Sequence, residues 1–185
     1  MPLCAYNILS APPRRSPEDP AEKRRPQMHK SKLAITNPRK GKIAELAKKT
    51  DHKMLATWAL DCAERVLPYF ESKYPKDDRP RVAIETGRVW VKTGVFRMAV
   101  IRKASLDSHS AARAVKDNDV ARSAARAAGQ AVAAAHVPTH ALAAAAYAAT
   151  AIRDAIHPAQ ADAAITKERE WQYRHLIKLS TGSSA

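Results

Sequence analysis

The chain has 185 residues, 45% hydrophobic and only 5% aromatic, with 32 Lys+Arg against 18 Asp+Glu for a formal net charge of +14. That length is one ordinary globular domain. Five glycines are too few for the turns of an all-β sandwich or barrel. No apolar run approaches the roughly 18 residues needed to span a bilayer. Cys4 and Cys62 are the only cysteines, too few for a disulfide framework or a structural zinc site, so a reducing, cytoplasmic setting fits best.

Residues 1–40 differ from the rest. They hold Pro2, Pro12, Pro13, Pro17, Pro20, Pro26 and Pro38, with Arg14, Arg15, Lys23, Arg24, Arg25, Lys30, Lys32, Arg39 and Lys40 scattered between them. Such a segment buries too little apolar surface to offset the entropy of ordering it, and it reads as a disordered basic tail. Met1 to Ala11 lacks the basic start and the apolar run of a secretory signal. Met28 is a second candidate start, which would make the first 27 residues an upstream extension. Residues 1–50 carry 12 Lys+Arg against 4 Asp+Glu, a net of +8, and residues 51–185 carry 20 against 14, a net of +6.

From Lys42 onward the pattern is helical. Ile43, Leu46 and Ala47 make a short amphipathic first helix, and Thr50-Asp51 supplies capping oxygens for a second. Leu55, Trp58, Ala59, Cys62, Val66 and Phe70 line one face of that second helix, with Asp61 and Arg65 as an i,i+4 pair on its flank. Pro68 forces a kink or restart. After the turn Tyr74 to Asp78, Pro80 opens a third helix whose inward stripe is Ala83, Gly87, Trp90, Val91 and Gly94. A fourth, from about residue 96, turns Val100, Ile101, Ala104, Ser108, Ala111, Ala112 and Val115 inward. Asn118 or Asp119 caps a fifth that runs to about Val137. Pro138-Thr139 separates it from a sixth (His140 to about Ile156), and Pro158 separates that from a seventh (about Ala159 to Leu179).

Between Ala111 and Ala164, 25 of 54 residues are alanine. Alanine is the strongest helix former, yet it contributes little buried area, so these helices must pack unusually close. Helix starts are irregularly spaced and no motif recurs, which disfavours a solenoid. The expected fold is all-α: a compact bundle of six or seven helices over residues 41–180.

No catalytic, metal or cofactor residues are assigned. Asp107-Ser108-His109-Ser110 contains the residue types of a nucleophilic triad, but consecutive helical positions point about 100° apart and cannot meet. His136 and His140 have a four-residue metal-like spacing that Pro138 spoils. The glycines are scattered, so no phosphate-cradling loop exists. What remains is a polar stripe. His136, His140, Tyr147 and Asp154, with Glu168, Trp171, Gln172 and His175 of the last helix, form either a polar seam fixing helix register or a binding pocket. The net charge favours nonspecific contact with nucleic acid through the tail, though no zinc-finger spacing or RNA-reading signature is present.

Four segments resemble the immunity-5-like helical family of bacterial immunity proteins. They are Asp51 to Leu67 (DHKMLATWALDCAERVL), Arg79 to Glu85 leading to Trp90, Ala124 to His136 with His140 and Tyr147, and Glu168-Arg169-Glu170-Trp171-Gln172. Together they span about residues 43–179, without the tail before Met28. The resemblance implies an all-α, non-enzymatic protein without a cofactor that protects its host by binding a toxin encoded nearby. A nucleic-acid mimic that plugs a nuclease should be acidic; this basic chain instead suits an acidic toxin surface.

Overall fold

The computed structural model describes residues 39–115 and 117–182. All but the end of the 1–40 tail, including the Met28 start, lies outside them. Among the described residues the regular structure is all α-helix, joined by short turns, with no strand. The helices are α1 (Arg39–Lys49), α2 (His52–Glu64), α3 (Leu67–Glu71), α4 (Arg79–Thr93), α5 (Met98–Ala114), α6 (Asp119–Ala133), α7 (His140–Asp154) and α8 (Pro158–Thr181). Among the described residues no helix is long and apolar enough to cross a membrane.

Local chemistry explains the boundaries. The Asp51 carboxylate accepts from the backbone N–H groups of Lys53 and Met54 at 2.8 and 3.2 Å, and Asn118 Oδ1 accepts from Ala121 N–H at 3.0 Å. Both satisfy donors that the first turn of a helix leaves orphaned. Pro68 divides the expected second helix into α2 and the single turn α3, and Pro80 and Pro158 sit in first turns. Two expectations are corrected. Gly94 is not inward: it ends α4 with φ of +70°, a left-handed cap that suits glycine. The helix expected to reach Val137 ends at Ala133 and unwinds through tighter turns.

Helix α6 is the hub, packed against α2, α3, α4, α5 and α7. Nine of its fifteen residues are buried (Ala121, Ser123, Ala124, Ala125, Ala127, Ala128, Gly129, Ala131, Val132), and none is larger than valine. Helix α7 answers with Ala141, Ala144, Ala145, Ala148, Ala149, Thr150 and Ala151. Side chains that stop at Cβ bring backbones close, so polar contacts reach helix carbonyls directly. Ser105 donates to Gly129 O at 2.9 Å and Ser108 to Ala125 O at 2.8 Å. The larger apolar groups, Trp58, Leu60, Phe70, Ile84 and Leu176, pack around this alanine centre. Val100 is corrected here: it is half exposed, on the wall of a hollow between α4 and α5 rather than in the core.

Glycine marks two close approaches. A Cβ on Gly87 would stand 2.6 Å from Leu60 Cδ2, and one on Gly129 would stand 2.8 Å from His109 Cε1. Gly129→Ala therefore overpacks the α5–α6 contact at about 1–3 kcal/mol, offset by up to about 1 kcal/mol of helix propensity. Urea unfolding should show a net loss for the single variant. His109→Ala in the same chain should recover most of it, and simple additivity of the two changes would refute the clash.

Candidate functional site

Where α8 crosses α2, a polar cluster is buried. Glu168 is 3% exposed, Arg169 4% and Gln172 0%. Arg65 of α2 donates to Glu168 Oε2 through Nε (3.3 Å) and Nη2 (3.1 Å), while Gln172 Nε2 donates to Glu168 Oε1 (2.9 Å) and to Ala145 O of α7 (3.1 Å). Arg169 Nη1 donates to Gln172 Oε1 at 2.8 Å, and the buried Trp58 indole N–H donates to Gln172 O at 2.8 Å. One glutamine thus ties α2, α7 and α8. Burial pushes the Glu168 carboxyl up, with Arg65 and Gln172 pulling the other way; burial likewise lowers the Arg169 guanidinium. Beneath lies Cys62, whose thiol is pushed well up by burial and by the charges of Glu168 and Asp61, so it stays protonated.

The cluster continues outward. Arg65 stacks 3.8 Å over the Trp171 ring, and Trp171 stacks on His175 at 4.9 Å. His175 Nε2 donates to Asp61 Oδ2 at 2.6 Å, and Asp61 Oδ1 accepts from Arg88 of α4, also at 2.6 Å. Arg81 of α4 binds Glu64 of α2 and, at 2.9 Å, Glu71 of α3. The chain Glu71–Arg81–Glu64 and Arg88–Asp61–His175–Trp171–Arg65–Glu168–Gln172 links α2, α3, α4, α7 and α8. Asp61 and Arg65 are therefore not the i,i+4 pair expected; each is claimed by a partner on another helix, and a more buried partner outcompetes an exposed one.

The other stripe residues lie elsewhere. His140 Nδ1 donates to Gln130 Oε1 of α6 at 2.6 Å. His136 is exposed and faces Phe96, their ring centroids 6.3 Å apart. Tyr147 is half-buried against the core. Asp154 Oδ1 pairs with Arg153 at 2.7 Å, and its Oδ2 is buried without a hydrogen-bond partner. Glu168, Trp171, Gln172 and His175 come together; these four do not join them through any of these contacts. Nor do Asp107, Ser108 and His109 converge: Asp107 pairs with Lys103, Ser108 is inside, and His109 lies over Gly129. Among the described residues no three His, Cys, Asp or Glu side chains are grouped as a metal would require.

Spacing alone missed Asp61, Arg65 and Arg88, whose only signal was charge beside an inward face. It also missed His52, which donates from Nε2 to Ala134 O at 2.7 Å and so satisfies a carbonyl at the end of α6.

The family model described as Imm-5 like putative immunity protein matches residues 45–179. That range runs from α1 to the last turn of α8. The chain belongs to this Imm-5-like family. No curated protein and no solved structure matches it significantly.

In this Imm-5-like chain, Glu168 pairs with Arg65, and its charge also favours the charged form of the buried Arg169. Removing one member of a buried pair strands the other, so Glu168→Ala should cost about 3–5 kcal/mol in urea unfolding. Arg65→Ala strands the Glu168 carboxylate, whose side chain is 2% exposed, and should cost a similar amount. A cost below about 1 kcal/mol for either variant, the range of an exposed pair, would refute the buried-charge argument.

His109 gives a pH signature. Burial, then the charges of Arg126, Arg113 and His140, lowers its pKa from 6.5 to about 4. Its folded value lies below its unfolded one, so its contribution is present above pH 6.5 and is lost as pH falls toward 4. NMR titration of the His109 Cε1 proton should give a midpoint near 4. His109→Gln should lose less stability than the parent between pH 6.5 and 4. A midpoint near 6.5 would contradict the buried, neutral ring.

Proposed function

We propose that this protein is a non-enzymatic bacterial immunity protein that binds a toxin and neutralises it by occlusion. The family match, coextensive with almost the whole helical body, carries the reading. The chemistry of the seam supports it. Asp61, Glu64, Glu71 and Glu168 each answer a guanidinium or imidazole, so they hold helices together rather than facing a substrate. The basic balance of the chain suits a toxin with an acidic contact surface.

The second reading, a helical protein held to nucleic acid by residues 1–40, draws on the net +8 of residues 1–50. Co-expression separates the two. Full-length protein should restore growth of cells producing the product of a gene that flanks its own. Protection should survive removal of residues 1–38, which lie outside the matched range. Protection against no flanking product would sink the immunity reading. Steeply salt-dependent DNA or RNA binding that disappears with residues 1–38 would favour the alternative.

A further inference from the structure

Most guanidinium groups of the folded body are matched inside it: Arg65 to Glu168, Arg79 to Asp77, Arg81 to Glu64 and Glu71, Arg88 to Asp61, Arg174 to Glu170. Arg97, Arg102, Arg113 and Arg126 are not. Their guanidinium groups make no hydrogen bond or ion pair with another described residue; the first three lie on α5 or at its cap, and Arg126 lies on α6. The same stretch holds the densest exposed apolar surface: Val95 59%, Phe96 43%, Met98 42%, Val100 50% and Leu106 50% exposed.

Two hollows flank the first turns of α5 and share Ile101. One, of about 380 Å³, opens between α5 and the end of α6, with Met98, Leu106 and Ala133 as its apolar wall and Arg102 and His136 in its lining. The other, of about 360 Å³, lies between α4 and α5, with Val89, Trp90 and Val100 as its wall and Arg97 alongside. The surface is an apolar ridge with a depression on each side and uncompensated cations among them. By contrast, the hollow on α8 is walled by Lys167, Glu170, Trp171 and Arg174, and its charges are already matched in part by Arg174–Glu170.

We propose that the face built from residues 89–106 is where this chain docks its protein partner, and that the partner presents apolar side chains set among carboxylates. This rests on the immunity reading only for the partner's identity as a toxin. Guanidinium groups pair carboxylates bidentately and are weakly hydrated, so they suit a contact that excludes water. Met and Arg are enriched at such contacts. Charge decides between occupants. A second copy would set Arg97 and Arg102 against the same cations. The chain's own residues 1–38, with seven Lys+Arg against three Asp+Glu, would be repelled. Nucleic acid would satisfy the arginines but leave Met98, Val100 and Leu106 against phosphates.

The test titrates the full-length chain, followed by NMR, with three probes: a synthetic helical peptide of leucine and glutamate, polyglutamate, and a DNA duplex. The peptide should perturb Arg97, Met98, Arg102 and Leu106 and bind at least tenfold more tightly than either other probe. Arg97→Glu with Arg102→Glu, and separately Leu106→Asp, should each weaken it at least tenfold; these side chains are exposed, so the fold should survive, checked by circular dichroism. Perturbation centred elsewhere, indifference to the substitutions, tighter duplex binding at this face, or self-association that covers it would each overturn the proposal. In cells that the parent protects, the doubly charge-reversed variant should fail to protect, and retained protection would also overturn it. If the parent protects against no toxin, the immunity reading falls while the peptide titration still decides the face.

Discussion

The structure depends on how closely helix backbones can approach α6. A helix surrounded by five others leaves little room for side chains, and α6 meets that constraint by burying residues that mostly end at Cβ. Close approach replaces large apolar contacts with many short dispersion contacts and brings serine hydroxyls within reach of helix carbonyls, as at Ser105 and Ser108. Gly129 is the limiting case, its missing Cβ occupied by the His109 ring.

An interior of alanines is nearly featureless, and a smooth helix can slide or rotate on its neighbour at little cost. The ionic and amide network supplies the features. Gln172 fixes α8 against the Trp58 indole and the Ala145 carbonyl, while Arg81 and Arg88 fix α4 against α2 and α3. Each bond is directional, and a shift of one helical turn would leave Glu168 or Arg169 buried and unmatched, which costs far more than losing a surface pair. The two halves of the architecture are complementary: small residues set the distances between helices, and polar residues set their register.

The fold was legible because its signals are local. Helical periodicity, alanine richness, the proline breaks and the Asp51 and Asn118 caps each act within a few residues. Tertiary competition was not legible. Asp61 and Arg65 have the spacing of a surface pair, and no pattern in α2 reveals that His175, Arg88 and Glu168 will claim them. Val100 has an inward period, but whether a face is covered depends on where the neighbouring helices fall, which the period does not encode. The α8 residues Glu168, Trp171, Gln172 and His175 share a face by helical geometry. Their partners on α2, and the separate surroundings of His136, His140, Tyr147 and Asp154, needed three-dimensional information.

The alanine-lined centre has an evolutionary consequence. A single nucleotide change in an alanine codon yields Val, Thr, Ser, Pro, Asp, Glu or Gly. In a closely apposed helix pair, nearly all of these add bulk, introduce an unmatched polar group or weaken the helix. Purifying selection should therefore freeze the middle of the molecule while outward positions diversify freely, so one rigid frame can carry surfaces of very different specificity in different lineages.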